Sequence, residues 1–259
     1  MVVISSNYAD GERGGHMDTR GNTIVITGGT SGIGLGLAER FLALGNTVVI
    51  CGRREDRLNS IRTRLPGIAT RVCDLRIEAQ RLGFARLVAT EFPAVNVLVN
   101  NAGIQLAADL TKPVDTARIR EELEINVVTP LHLATLFAPL LARKKGAAII
   151  NLGSGLAFAP IAALPVYCAS KAAVHSLTLS MRRQLRELGV KVFELVPPAV
   201  DSELGAERRP QGGSHGGMPV SEFVDAVIAG LESDTPEIAV GGAIGLREGR
   251  ESLFDRMNP

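Results

Sequence analysis

Tyr167 and Lys171 stand four positions apart in a chain with only two tyrosines and five lysines, a closeness that random spacing rarely gives. They open a stretch of helical periodicity, and residues four apart on a helix share one face. A free tyrosine titrates near ~10 and is a poor base at neutral pH. An adjacent ammonium favours the phenolate and brings the hydroxyl into range as a general acid/base. An ordinary surface Tyr–Lys pair is the competing reading. Far upstream, Thr27-Gly28-Gly29-Thr30-Ser31-Gly32-Ile33-Gly34 joins a strand-like run to a helix-like one. Glycines there admit positive φ and let backbone N–H groups approach a phosphate with no Cβ in the way. The positive end of the helix would face the same anion. The alternative is a tight strand–helix turn whose glycines serve packing alone.

A dinucleotide site that takes NAD usually carries an acidic residue at the end of its second strand for the ribose 2′-hydroxyl. Here that place reads Val48-Val49-Ile50-Cys51-Gly52-Arg53-Arg54, with no carboxylate and two guanidiniums. A planar fork of N–H donors suits a phosphate dianion, so NADP (NADPH) is the cofactor expected. Arg53 and Arg54 as solvated first-turn helix residues are the bland alternative.

Short β-branched runs at 23–27, 47–51, 69–73, 95–99, 147–152, 191–196 and 237–240 must position these groups. Between them lie helix-spaced stretches at 33–44, 54–65, 78–91, 117–143, 166–188 and 221–232. Continuously apolar strands alternating with helices imply a parallel sheet covered on both faces. The expected fold is therefore α/β, a doubly wound, parallel seven-stranded sheet of Rossmann type in a single domain over 21–259. Residues 1–20 lack periodicity and are set aside as a disordered extension or expression remnant, with Gly14-Gly15-His16-Met17 reading as a scar before a start at Met17. The stretch 197–219 is rich in proline and glycine without a period and reads as a substrate loop.

TGxxxGxG at Gly28, Gly32 and Gly34 resembles the short-chain dehydrogenase/reductase superfamily. The other motifs of that family follow in order: Asn100-Asn101-Ala102-Gly103, Asn126, Ser154, and Tyr167-Cys168-Ala169-Ser170-Lys171. The resemblance covers about residues 20–240 and implies hydride transfer between a nicotinamide and a small carbonyl or secondary alcohol. It makes Asn126, Ser154, Tyr167 and Lys171 catalytic. Ser154 would hold the substrate oxygen, Lys171 would also bond the nicotinamide ribose, and Asn126 would position a relay water. Ser154 as a turn cap and Asn126 as a satisfied buried amide remain open. Thr27, Gly28, Thr30, Ser31, Gly32, Ile33, Gly34, Asn100, Ala102 and Gly103 would line the cofactor. Asp74-Leu75 resembles the adenine-contacting pair, and Asp74 could equally cap the next helix. Pro197 and Val200 would meet the carboxamide, although Pro198 replaces a usual glycine and Asp201-Ser202 stand where a threonine is expected. Gly153 stands where many relatives carry a second serine. The family also pairs the helices at 117–143 and 166–188 in a four-helix interface, and their broad apolar cover (Leu131, Leu136, Leu140, Val174, Leu177, Leu185) fits a homodimer or homotetramer; the alternative is that the sheet alone absorbs those residues. More loosely, 197–204 and 241–258 resemble a bacterial subgroup named after an oxidoreductase of the lipoteichoic-acid D-alanylation operon.

Composition narrows the class. The net charge of +1 supplies no field for gathering a phosphate backbone, so no nucleic-acid partner is expected. Apolar stretches fall short of the ~20 residues that span a bilayer, and no signal-like segment opens the chain. Cys51, Cys73 and Cys168 are too dispersed for a disulfide framework or a CxxC motif. A neutral cytoplasmic globular protein without a metal is the expectation. His132, His175 and His215 match no ligand spacing and are assigned to helix packing or solvent. Two rivals stand beside the reductase reading. One is a catalytically silent NADP-binding scaffold, against which the full set of four catalytic residues argues. The other is a sugar-nucleotide epimerase or dehydratase, which would carry TGxxGxxG and a larger C-terminal domain. Leu156, Phe158, Ile161, Leu164 and Leu204, with Gln105, suggest a mainly apolar substrate pocket.

Overall fold

The computed structural model describes residues 17–204 and 216–259. Its strands are β1 (Thr23–Thr27), β2 (Thr47–Gly52), β3 (Ala69–Val72), β4 (Val97–Asn100), β5 (Ala148–Leu152), β6 (Lys191–Val196) and β7 (Glu237–Ala239). They form one parallel sheet in the order β3-β2-β1-β4-β5-β6-β7. The helices are α1 (Gly32–Ala43), α2 (Glu55–Arg64), α3 (Glu78–Glu91), α4 (Thr116–Leu123), α5 (Thr129–Leu141), α6 (Pro165–Leu185), α7 (Val220–Glu232), α8 (Gly242–Gly249) and α9 (Phe254–Met257).

The doubly wound arrangement follows from strand composition. Ile24 and Ile26 join Leu37, Phe41, Phe223 and Leu231 on one face, while Val25, between them, joins Phe84, Leu133 and Phe137 on the other. Successive side chains alternate across a strand, so a run with no polar member must be covered on both sides. The order runs outward from β1 to β3 and then returns to place β4 on β1's other side. That reversal opens the crevice in which open α/β sheets bind ligands.

Four differences from the sequence reading bear on the site. The single helix expected at 117–143 is interrupted by a π-helical turn, Glu124–Val128, between α4 and α5. Together these elements span Thr116–Leu141, long and apolar enough by length and composition alone to cross a membrane. In the fold the run buries Leu133, Phe137 and Leu141 against the sheet and carries buried Glu122 and Asn126 within it. Next, α8 and α9 were not expected, because Gly242, Gly245 and Gly249 dilute any helical pattern. Residues 17–20 of the segment set aside are packed: Met17 is fully buried, and Thr19 O accepts from Asn46 Nδ2 at 2.8 Å. Residues 1–16 lie outside the described residues. So does 205–215, the middle of the expected 197–219 loop together with His215; its flanks bridge at Val200 and Met218.

Three buried asparagines tie the N-terminal ends of the central strands. Asn22 N donates to Asn46 Oδ1 at 2.8 Å, and Thr23 N donates to Asn96 Oδ1 at 3.0 Å. Asn96 Nδ2 donates to Asn22 Oδ1 at 2.7 Å and to Lys145 O at 3.0 Å. Asn96→Ala leaves these partners unpaired, so thermal unfolding should show a loss of about 2–3 kcal/mol. That corresponds to a melting temperature lower by roughly 4–10 °C for a chain of this size.

Candidate active site

The loops leaving β1 and β4 frame a cavity of about 980 Å³ that runs on past the ends of β5 and β6. Its floor is a close contact of two backbones. Gly28 has φ +65°, and a Cβ there would lie 2.9 Å from Ala102 Cα. A Cβ on Gly34 would lie 2.3 Å from Asn101 Nδ2 and 2.6 Å from Gly28 O. Gly28, Thr30, Ser31, Gly32, Ile33 and Gly34 all line the cavity, as expected of the glycine turn. Ser31 caps α1 without a side-chain bond, so the first-turn N–H groups of the helix are left to the cavity.

Thr27 is not on the wall. Its hydroxyl donates to Val99 O at 3.2 Å and accepts from the N–H groups of Asn101 and Ala102 at 3.0 and 3.1 Å. Asn100 is not on the wall either: it is buried and donates to Asn151 Oδ1 at 2.9 Å and Pro130 O at 3.3 Å. The strand alternation that points residue 100 into the sheet turns Asn101 outward. Asn101, with Ala102 and Gly103, lines the cavity, and its amide donates to Thr27 O at 2.9 Å and Gly28 O at 3.2 Å.

At one end the cavity is basic. Arg53 and Arg54 line it. Arg54 Nη2 donates to Thr30 Oγ1 at 3.4 Å, and Arg54 Nη1 lies 3.5 Å from Glu203. Arg57, one helical turn on, donates to both Glu203 oxygens at 2.6 and 2.7 Å. Asp74 and Leu75 also line this end. Asp74 does not cap α3, which begins at Glu78. It accepts instead from Arg76 N at 3.1 Å and Arg76 Nε at 2.9 Å. The Arg76 guanidinium holds the Asp74 carboxyl below the usual carboxylate range.

At the other end Ser154, Tyr167 and Lys171 meet on the wall. Ser154 accepts from Leu156 N at 3.1 Å as the cap of a short 3-10 turn, which leaves its own proton to donate. Its cap role and a substrate-binding role are therefore compatible. Lys171 Nζ donates to Leu152 O at 2.8 Å and lies 5.7 Å from the centre of the Tyr167 ring. Burial pushes the Lys171 ammonium down to about 8, against the raising pull of Glu194 and Glu122.

Asn126 stands behind this wall, in the π turn. It accepts from Ile104 N at 2.9 Å, donates to Ile104 O at 2.9 Å and donates to Ser170 Oγ at 3.0 Å. Glu122, one turn earlier, accepts from Leu106 N at 3.1 Å. The two side chains hold the loop that follows β4, and a π turn inside a helix often marks a functional site. Pro197, Pro198, Ala199 and Val200 complete the wall after β6. Leu156, Ile161 and Leu164 pack with Tyr167 beside Ser154, and Gln105, Leu204, Leu246 of α8 and Met257 of α9 also line the cavity. Phe158 does not join them; it packs on Val196, Ala239 and Ala243.

Sequence reasoning missed Asn101, although it adjoins Asn100 in the same motif. Arg57 carried a signal as well, three positions after Arg54. Glu203, Leu246 and Met257 carried none, since only the chain's return path brings them to the cavity. His132 accepts from buried Arg81 Nε at 3.0 Å, consistent with helix packing. His175 is bound differently, to buried Glu194 at 2.8 Å.

Residues 22–213 match the short chain dehydrogenase family. The chain is 44% identical over 243 residues, 93% of its length and 96% of the relative's, to the uncharacterized oxidoreductase DltE of Bacillus subtilis. It is 34% identical over 184 residues to sulfoacetaldehyde reductase 2 of Chromohalobacter salexigens, covering 70% of this chain and 73% of that one. The crystal structure of a short chain dehydrogenase from Burkholderia cenocepacia in complex with NADP superposes with TM-score 0.80 at 29% identity. That match covers 93% of this chain and 99% of the other.

Proposed function

The chain belongs to the short-chain dehydrogenase family and is a dehydrogenase/reductase, and from that premise we propose that it transfers hydride between NADP(H) and a small carbonyl or secondary alcohol, with Tyr167 as general acid/base. The observation that carries this reading is the convergence of Ser154, Tyr167 and Lys171 at one end of a cavity whose other end is basic. A dinucleotide fits the residues present. The glycine turn leaves no Cβ between backbone and ligand, and first-turn N–H groups face the pyrophosphate position. Arg53 and Arg54 line the cavity and would hold a 2′-phosphate, and Arg57 adds a third guanidinium now held by Glu203. When bound, the nicotinamide supplies or accepts the hydride.

The protein's residues manage the proton and the oxygen. Ser154 donates to the carbonyl oxygen and stabilises the alkoxide charge that develops there. Tyr167 gives that oxygen its proton in reduction and takes it back in oxidation. The Lys171 ammonium lowers the energy of the phenolate left behind. Because burial places Lys171 near about 8, its charge disappears as pH rises through that value, and reduction should decline on the alkaline side. Asn126 holds Ile104 and so the loop beside the nicotinamide position. Apolar side chains around the catalytic end favour a substrate with an apolar body. The similarity to a sulfoacetaldehyde reductase supports an aldehyde among candidate substrates. Three free, buried cysteines and a near-zero charge suit the cytoplasm.

Affinity measured by calorimetry should favour NADPH over NADH by well over tenfold. Replacing Arg54 by Ala should erase much of that preference, since a charge-assisted pair contributes about 1.5–3 kcal/mol. Equal affinities in the parent protein would remove the NADP assignment and leave the family intact. On assembly, Val128 and Leu131 expose apolar surface at the start of α5, while Val174 is buried and Leu136, Leu140, Leu177 and Leu185 pack partly against the core; α6 is the other helix of the proposed interface. Light scattering at micromolar protein should therefore give two or four times the chain mass, and a monomer would refute the pairing. For the chemistry, Tyr167→Phe removes one oxygen and almost no volume, so folding and NADPH affinity should persist. Its kcat on an accepted ketone or aldehyde should fall by ~10²–10⁴-fold. A phenylalanine variant with unchanged turnover would make the silent NADP-binding scaffold the better reading.

A further inference from the structure

On α6, Tyr167, Lys171 and His175 follow at four-residue steps and so continue one stripe. The stripe leads from the cavity into a buried cluster of charge. His175 Nδ1 lies 2.8 Å from Glu194 Oε2, and the Glu194 side chain is fully buried on β6. Register pairs Glu194 with Glu237 on β7, also fully buried, and Glu237 is ion-paired with Arg247 of α8. Among the described residues nothing hydrogen-bonds Glu194 Oε1. That oxygen lies against Gly153, where a Cβ would come within 2.5 Å of it. The preceding residue, Leu152, supplies the carbonyl that holds Lys171 Nζ. A carboxylate oxygen buried without a donor is costly unless a nearby positive charge compensates it.

We propose that Glu194 is a positioning residue of the active site: its carboxylate, pinned by His175 and seated against Gly153, faces the Lys171 ammonium from behind the end of β5 and sustains its charge. Gly153 is then required for space, because a serine at that position would displace the carboxylate. The groups facing Lys171 are Tyr167 on its own helix, Glu122 from α4 and Glu194 from β6. Those facing Glu194 are His175 from α6, Glu237 from β7 and, through Glu237, Arg247 from α8. Burial opposes a charge on His175, but the Glu194 hydrogen bond and carboxylate outweigh it and lift its pKa above the ordinary value. Two carboxylates thus meet one permanent and one titrating cation, and the C-terminal helix α8 becomes part of the site's electrostatics. His175, Glu194 and Glu237 also offer atoms within 4.8 Å of one another, spacing that suits a cation. Arg247 already pairs with Glu237 and His175 with Glu194, so side chains meet this charge.

The proposal takes its consequence for turnover from the reductase reading, but the charge itself can be measured without turnover. Competitive trace acetylation of the full chain across pH, with the Lys171 peptide quantified by mass spectrometry, gives the midpoint of that amine. Glu194→Gln should move the midpoint at least about half a pH unit lower, because it deletes a facing negative charge. Glu194→Asp, which keeps the charge, should stay closer to the parent. An unmoved midpoint in a folded Glu194→Gln protein overturns the proposal. If that variant does not fold, Gly153→Ala decides: its Cβ would push the carboxylate away from the end of β5, so the midpoint should fall, and an unmoved midpoint overturns the proposal. In turnover, the alkaline limb of reduction should shift with the amine. Parent activity with an unmoved midpoint would sink this proposal alone, while a moved midpoint in a protein that turns over no carbonyl would sink the reductase reading alone.

Discussion

Two backbones touch at the centre of this protein, and the contact leaves no room for a side chain. The turn after β1 lies on the segment after β4, with Gly28 over Ala102 and Gly34 over Asn101. One hydroxyl, that of Thr27, accepts from both N–H groups that open the second segment. The sheet order makes β1 and β4 neighbours whose connections leave in opposite directions, so the contact sits at the reversal point. A larger residue at either glycine would part the two segments and take the cavity's floor with it. The rest of the site is arranged from this floor: the basic end beyond β2, the wall of Ser154, Tyr167 and Lys171 beyond β5.

The wall that carries Ser154, Tyr167 and Lys171 depends on buried polar groups behind it. Asn126 and Glu122 are both buried, and each reaches the backbone of the loop after β4. The widened π turn places Asn126 where one amide satisfies both the N–H and the carbonyl of Ile104. The helix gives up regular hydrogen bonding there, and the loop gains an anchor that a continuous helix would misplace. Burial pushes the Glu122 carboxyl up, although the Leu106 N–H works in the other direction. Its charge bears on Lys171 as well, so loop anchoring and lysine ionisation share a residue.

Much of this was legible in the chain because period and motif report local constraints. Seven short, largely apolar runs pointed to a sheet covered on both faces, and the glycine turn, Arg53-Arg54 and Tyr167/Lys171 announced the two ends of a cavity. What was illegible depends on distance in sequence. Asn100 and Asn101 exchange roles because the pleat, set by pairing with β1 and β5, decides which one faces inward. The π turn leaves the composition of 117–143 unchanged and alters only its register. Met17 and Thr19 looked like part of a tail until Asn46 and the sheet supplied partners. Glu203 and the C-terminal helices reach the cavity only through the path of the chain after β6, which no local pattern records.

Glu194 and Glu237 show why such distant relations matter. Each lies in a short apolar strand, and from sequence alone each breaks the pattern that identified the strand. Side by side in register at the sheet's edge they would repel, and burial would magnify the repulsion. The structure answers with cations from two other elements, His175 from α6 and Arg247 from α8. The strand pair therefore tolerates its carboxylates only when α6, which bears Tyr167 and Lys171, and α8 are both docked. A local violation of the hydrophobic pattern is in this way tied to completion of the site. Replacing buried ion pairs by well-packed apolar residues of similar volume is often neutral or stabilising. The proposed role of Glu194, the charge it places behind β5, accounts for a buried carboxylate that folding alone does not require.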